Sequence, residues 1–373
     1  MNPFSYGTVV KEPYFFDRKE ETERIVTTLT GGNNLVLYAP RRYGKTSLVM
    51  KVIESLNSLG FACIYFDFMT VYSRESFIQV FSKAIFKQQG YTEKVMQSIA
   101  KLVKGIRPKL TFDQNGTPEF SLDFLETKIS DKTLDSVIDL PDKLFPGKKR
   151  LIIIMDEFQD IDKLNGENFE KLLRSKIQHH SNVNYLFLGS RTHILQDMFN
   201  NKNRAFYNSA SAMNLGALPK AETINFLIER FSLSNIKLEE DTASYLIEQS
   251  GNIPYYIQFL ASEVWQYTIN QKKIVDKEII RLSSDKIIDL KSDYYIELFD
   301  HLTPYQKKLL KALAVSGKNV FSAEYALTFR LSAGSTTQKA LSGLINSGII
   351  EKNENDYSFD DPFFKQFILR LTA

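Results

Sequence analysis

Continuous apolar runs alternate with segments of helical spacing over the first part of the chain. Residues 35–38, 61–68, 151–155 and 184–189 are short and largely unbroken in hydrophobicity, and 212–216 is a weaker run of the same kind. Strands buried on both faces of a parallel sheet have this pattern, whereas half-exposed strands alternate with period two. Between the runs, apolar positions recur at helical spacing: through Ile25 and Leu29, from Lys45 to about residue 59, over 76–89 and over 166–179. Gly60 stands where a helix would end, and Asp17, with Glu20 three residues on, is the expected N-cap of the first helix. Residues 91–149 read as an insertion, in which Asn115-Gly116 between two alternating runs signals a hairpin. After Pro219 the strand signals vanish, and helices are predicted at about 219–232, 240–250, 254–271 and 276–298. A last segment opens at Thr303-Pro304, with helices near 304–316, 321–331 and 336–348 and then two short strands at 348–351 and 357–360. That is the element order of a winged helix.

The first apolar run leads straight into candidate chemistry. Ala39-Pro40-Arg41-Arg42-Tyr43-Gly44-Lys45-Thr46-Ser47 ends like the phosphate-binding pattern G-x-x-x-x-G-K-[ST]. Gly44 would let backbone N–H groups approach a phosphate, Lys45 would reach the β/γ oxygens, and the Thr46 hydroxyl would ligate Mg²⁺. The first glycine of the pattern is Ala39, which is tolerable if its φ stays negative. The run at 151–155 ends in Asp156-Glu157, two carboxylates at the strand end where open α/β sheets bind ligands. Asp156 would complete the Mg²⁺ shell and Glu157 would polarise a water for in-line attack on the γ-phosphate. The two strands carrying these groups are expected to be neighbours. The fold class expected is therefore α/β: a parallel-sheet P-loop core over 1–217, with its insertion at about 91–149, an α-helical segment over 218–298 and a winged helix over 299–373.

Bulk properties narrow the alternatives. Hydrophobic residues at 43% and charged residues at 24% are ordinary globular composition. A net charge of +3 over 373 residues is too small to imply nucleic acid or an anionic membrane as partner. The single cysteine, Cys63, lies in an apolar run, so a reducing compartment is expected, and no apolar stretch reaches the length of a membrane span. A cytoplasmic location follows as the expectation. The adjacent His179-His180 lack other ligands at metal spacing and read as a solvated helix end.

Nearly the whole chain resembles a group of prokaryotic ATPases related to the AAA+ and STAND proteins, in which a P-loop core is joined to a helical lid and a winged helix. The resemblance rests on ordered blocks: Asn2-Pro3-Phe4, Phe15-Phe16-Asp17-Arg18-Lys19-Glu20-Glu21, the segment 39–47, Asp156-Glu157-Phe158-Gln159, Gly189-Ser190-Arg191 and Asp361-Pro362-Phe363-Phe364. It implies that Phe16 and Pro254, the latter in Gly251-Asn252-Ile253-Pro254, lie beside adenine. By the same resemblance Ser190 or Arg191 reports on the γ-phosphate, and Arg204 is either a trans-acting arginine finger or a surface arginine. A finger is worth ~10³-fold or more in rate. Capping alone also accounts for the Gly-Pro turn, with Gly ending one helix and Pro opening the next. The cofactors implied are ATP and Mg²⁺. The activity implied is a nucleotide-driven switch, with slow hydrolysis and an unidentified protein, or a second copy of the chain, as recipient. A DNA-binding initiator is the alternative. It is disfavoured because the recognition-helix region 335–346 offers only Lys339 and residues 351–356 are net acidic.

Overall fold

The computed structural model of the protein describes every residue except 1, 11–12, 91, 113–117, 126–128, 146, 148–149, 165, 270–272, 333, 354–355 and 372–373. Two compact units emerge: Arg18–Gly216, and Met1–Asp17 together with Ala217–Ala373.

The strands of the first unit, in chain order, are β1 (Leu35–Tyr38), β2 (Cys63–Asp67), β3 (Ile106–Phe112), β4 (Pro118–Phe124), β5 (Leu151–Asp156), β6 (Val183–Gly189) and β7 (Ser211–Asn214). Five of them form a wholly parallel sheet in the order β2-β5-β6-β1-β7. Every residue of β1, β5 and β6 is buried, which explains their unbroken hydrophobicity. The edge strand β7 buries only Met213, hence its weaker signal. The expectation that β1 and β5 adjoin is corrected: β6 lies between them and pairs with both. Apolar runs identify buried strands but carry no information about lateral order. The insertion is led by a helix, Glu93–Leu102, and contains the antiparallel pair β3–β4. Its turn residues Asn115-Gly116 lie outside the described residues.

Beneath the C-terminal end of the sheet sits an aromatic core. Phe158 is fully buried and its ring meets those of Phe68, Phe187, Phe199 and Phe206 at centroid distances of 5.5, 4.7, 6.0 and 5.1 Å. Such a cluster anchors the turns that follow β2 and β5, because Phe68 follows Asp67 directly and Phe158 follows Glu157. Replacing a buried Phe of this kind by Ala typically costs ~3–5 kcal/mol.

Asp17 is not the N-cap expected of it. The first helix is Lys19–Thr30, and both Asp17 (φ 59°) and Arg18 (φ 66°) take the left-handed conformation with no side-chain cap. Arg18 is buried instead, donating to Glu21 Oε1 (2.6 Å) and to the Gly216 carbonyl (2.6 Å). Those bonds tie together the two ends of the sheet unit.

In the second unit the helices are Lys220–Ser232, Glu240–Gln249, Pro254–Thr268, Lys277–Leu290 and Ser292–Asp300. The single helix expected at 276–298 is broken at Lys291, whose Nζ, like the Tyr295 hydroxyl, donates to Asp361 Oδ2 at 3.0 Å. Asp361 also caps the terminal helix Pro362–Arg370. The winged-helix order follows as expected: Pro304–Val315, Ala323–Thr328, Gly334–Asn346, then β8 (Ile350–Asn353) antiparallel to β9 (Asp356–Phe359). Residues 2–4, expected in the core, pack here. Buried Arg230 donates to the Pro3 carbonyl, Asn2 donates to Ser262, and Phe4 packs on Phe231. None of the described helices is long and apolar enough to cross a membrane.

Candidate functional site

Four sheet strands deliver the polar groups of one site. The turn after β1 runs from Ala39 to Gly44 and opens the helix Lys45–Ser58. Ala39 is fully buried and is absent from the residues of positive φ, so a methyl group costs nothing there. The left-handed positions are Arg42 (φ 68°) and Gly44 (φ 82°). Gly44 satisfies the stringent one, and a Cβ there would have open space but strained backbone. Arg41 and Arg42 are exposed, Pro40, Tyr43 and Thr46 half-buried, and Ser47 buried. A helix start, with the dipole behind it, is a setting suited to an anion.

Lys45, only 7% exposed, reaches from the first turn of that helix across β6 to the end of β5. Its Nζ lies 2.8 Å from Asp156 Oδ1 and 2.8 Å from Glu157 Oε1. Asp156 is buried and fully engaged: Oδ1 also accepts the backbone N–H of Glu157 (2.8 Å), and Oδ2 accepts the Tyr65 hydroxyl (2.6 Å). Glu157 adopts φ 47°, unusual for a non-glycine residue. Its Oε2 accepts from Gln159 Nε2 (2.5 Å), Ser190 Oγ (2.8 Å) and the Ser190 backbone N–H (3.2 Å).

The electrostatics follow from this crowding. Burial alone pushes the Glu157 carboxyl up, but the Lys45 ammonium and the donors from Gln159 and Ser190 together hold it down at about 2. Burial raises the Tyr65 phenol, and the charge of Asp156 raises it further, so Tyr65 stays a donor. Asp67, which pairs with Asp156 across β2 and β5, is raised by burial and then by its acidic neighbours. Several carboxylates thus face one ammonium, and a bound cation would relieve that surplus. Asp156 supplies a hard oxygen for such an ion. Thr46, whose hydroxyl makes no hydrogen bond among the described residues, supplies another.

Lys45, Asp156, Glu157 and Ser190 therefore converge. Arg191 is exposed at the start of the helix Thr192–Asn200 and forms no ion pair among the described residues. Arg204 is engaged within its own unit. Its Nε and Nη2 bond Glu170 Oε2 at 3.1 and 2.5 Å, and its Nη1 bonds Asp197 Oδ2 at 2.9 Å. Glu170, 1% exposed, also accepts the Ala205 backbone N–H, so the network is closed. Phe16 and Pro254 belong to the helical unit. Phe16 stacks on Phe226 (3.7 Å between centroids), and Pro254 opens its helix after Gly251 (φ 64°) and Asn252 (φ 55°), both left-handed. His180 corrects the expectation of a solvated helix end. Its ring is buried, with Nδ1 2.6 Å from the Tyr185 hydroxyl. Tyr65 and Asp67 were missed in the sequence; their placement at the end of an apolar run, like Asp156, was the available signal.

Comparisons with known proteins give the family. A family described as an ATPase domain predominantly from Archaea matches residues 15–260, and a probable winged helix domain matches 293–370. An uncharacterized ATP-binding protein of Methanocaldococcus jannaschii is 29% identical over 163 residues, 39% of this chain and 40% of that relative. The chain thus spans well under half of that relative's length. An uncharacterized ATP-binding protein of Pyrococcus horikoshii is 22% identical over 295 residues, 77% of this chain and 85% of its own. Among solved structures, a Walker-type ATPase of Pyrococcus abyssi aligns at a TM-score of 0.65 with 17% identity, covering 98% of this chain and 99% of that one. The ORC2 protein of Aeropyrum pernix aligns at 0.55 with 14% identity, covering 99% of each. With the family pattern matched from ahead of the phosphate loop to well beyond the sheet, this chain belongs to the ATPase-domain family found predominantly in Archaea.

Proposed function

We propose that the protein binds Mg²⁺–ATP at the turn after β1, hydrolyses it to ADP and phosphate, and uses the cycle as a conformational switch. The observation that carries this reading is the meeting of Lys45 with Asp156 and Glu157 at 2.8 Å, at the C-terminal end of the sheet. ATP phosphates compete with the two carboxylates for the Lys45 ammonium. Once Lys45 turns to phosphate, Glu157 loses the strongest influence holding its carboxyl down and becomes a better base for the attacking water. Asp156 and Thr46 would hold the Mg²⁺, whose chemistry when bound would be to neutralise charge on the phosphates. Ser190 stays beside Glu157 and registers the change. The relatives named for ATP binding, and the ORC2 protein solved as ADPNP–ADP complexes, support the nucleotide assignment.

A switch needs ATP to favour one arrangement over another; tight binding by itself shifts nothing. The winged helix is read as a protein-interaction module, because the helix Gly334–Asn346 carries Lys339 as its one basic residue. Tight duplex binding with a steep salt slope would replace that reading by a DNA-binding one. The hydrolytic reading is tested by steady-state turnover of wild type and Glu157→Gln. Loss of turnover with retained ATP binding is expected, and wild-type turnover in the variant would reject it.

A further inference from the structure

Drawing Lys45 away to phosphate removes one of the contacts that hold the Glu157 carboxylate, so something else must keep it aimed. We propose that Gln159 is the positioning residue for Glu157, its amide laid over Gly189 and donating to Glu157 Oε2. This rests on the hydrolytic reading above and names a residue on which its rate depends.

Gln159 is 4% exposed, and its Nε2 makes the 2.5 Å bond to Glu157. Its Oε1 is buried without a hydrogen-bond partner among the described residues. An unmet buried acceptor is a standing cost to the fold, so some other contact must favour this arrangement. Turning the amide over would set Oε1 against the carboxylate and lose a charge-assisted bond, so the charge of Glu157 fixes the orientation. Gly189 is the second observation. A Cβ there would lie 2.0 Å from Gln159 Oε1 and 2.2 Å from Leu195 Cδ1. Gly189 is not among the glycines of positive φ, so glycine is required here for space and not for backbone conformation. The strand end is bare where the amide rests. Ser190, the next residue, supplies the other two donors to Oε2. Phe158, buried between Glu157 and Gln159, pins the intervening backbone. Glu157, at positive φ, is thus held by contacts that a phosphate does not compete for.

The test uses the full chain and compares wild type, Gln159→Met, Gly189→Ala and Glu157→Gln. It measures turnover, calorimetric Mg²⁺–ATP affinity and a thermal melt. Gln159→Met, near-isosteric but without a donor, is expected to lower kcat by ~10–100-fold with ATP affinity unchanged. Gly189→Ala displaces the amide and is expected to give the same split; if its melt shows it unfolded, Gln159→Met decides alone. Wild-type kcat in Gln159→Met, beside an inactive Glu157→Gln, overturns this inference and leaves the hydrolytic reading standing. Equal losses of kcat and affinity in Gln159→Met also overturn it, since they mark a merely structural role. Wild-type turnover in Glu157→Gln removes the hydrolytic reading itself.

Discussion

The sheet unit holds two ion clusters, each one cation among several carboxylates, in different settings. Around Arg204 the contacts close: Glu170 takes two of its donors, Asp197 another, Asp162 lies 3.9 Å away, and the Glu170 carboxylate is completed by a backbone N–H. Around Lys45 they do not. One ammonium faces Asp156 and Glu157, with Asp67, raised first by burial and then by their charge, nearby, and Glu157 sits at positive φ. An arginine whose donors are met within the fold serves the fold; a lysine beside a helix start, with one carboxylate partner at positive φ, is poised to trade partners. Burial and short distances are common to both, so neither property identifies a functional site. The Lys45 cluster is set apart by the helix start beside it and by the positive φ of Glu157.

The largest effect that would break this contrast is at Lys45. Lys45→Ala is expected to abolish measurable ATP turnover while the protein stays folded, because the phosphates lose their cation. Turnover near wild type would place the two clusters in the same class. Next comes Arg204→Ala, which leaves Glu170 charged and buried. Breaking such a pair costs about 3–5 kcal/mol, read as a lowered urea midpoint. The folded fraction should still turn over ATP at close to the wild-type rate. A loss near 10³-fold without destabilisation would restore the arginine-finger role.

The smallest expected effect lies at His180, a buried group outside both clusters. Burial lowers its pKa below the ordinary 6.5, against the pull of Asp139. The unfolded chain therefore takes up a proton that the folded one resists. Stability falls as pH drops through about 6.5 towards the folded value, and this group changes nothing above that range. Denaturant melts between pH 7.5 and 5.5 should show a steeper loss in wild type than in His180→Gln. Parallel slopes would count against it.

Much of this was legible in the chain. Unbroken apolar runs gave the buried strands, because strands covered on both faces have no polar side to show. Gly44-Lys45-Thr46 and Asp156-Glu157 marked the site, since each stands at a strand end. The lateral place of β6 was not legible, and with it the way Ser190 comes between the two halves of the site. Arg204 could not be assigned from sequence because its partner Glu170 lies 34 residues away in a helix of ordinary amphipathic pattern. Gln159 and Gly189 were quoted only as parts of motifs; their packing against each other depends on the turn after β5, which no periodicity encodes. Asp17 carried a standard capping signature, overridden when Arg18 was buried against the Gly216 carbonyl.

The most direct test is a calorimetric titration of Mg²⁺–ATP into wild type, Lys45→Ala and Arg204→Ala side by side. One saturable site in wild type and Arg204→Ala, with none in Lys45→Ala, is the predicted outcome. Equal binding by Lys45→Ala, or no uptake by wild type, would contradict the assignment of the Lys45–Asp156–Glu157 cluster as the nucleotide site.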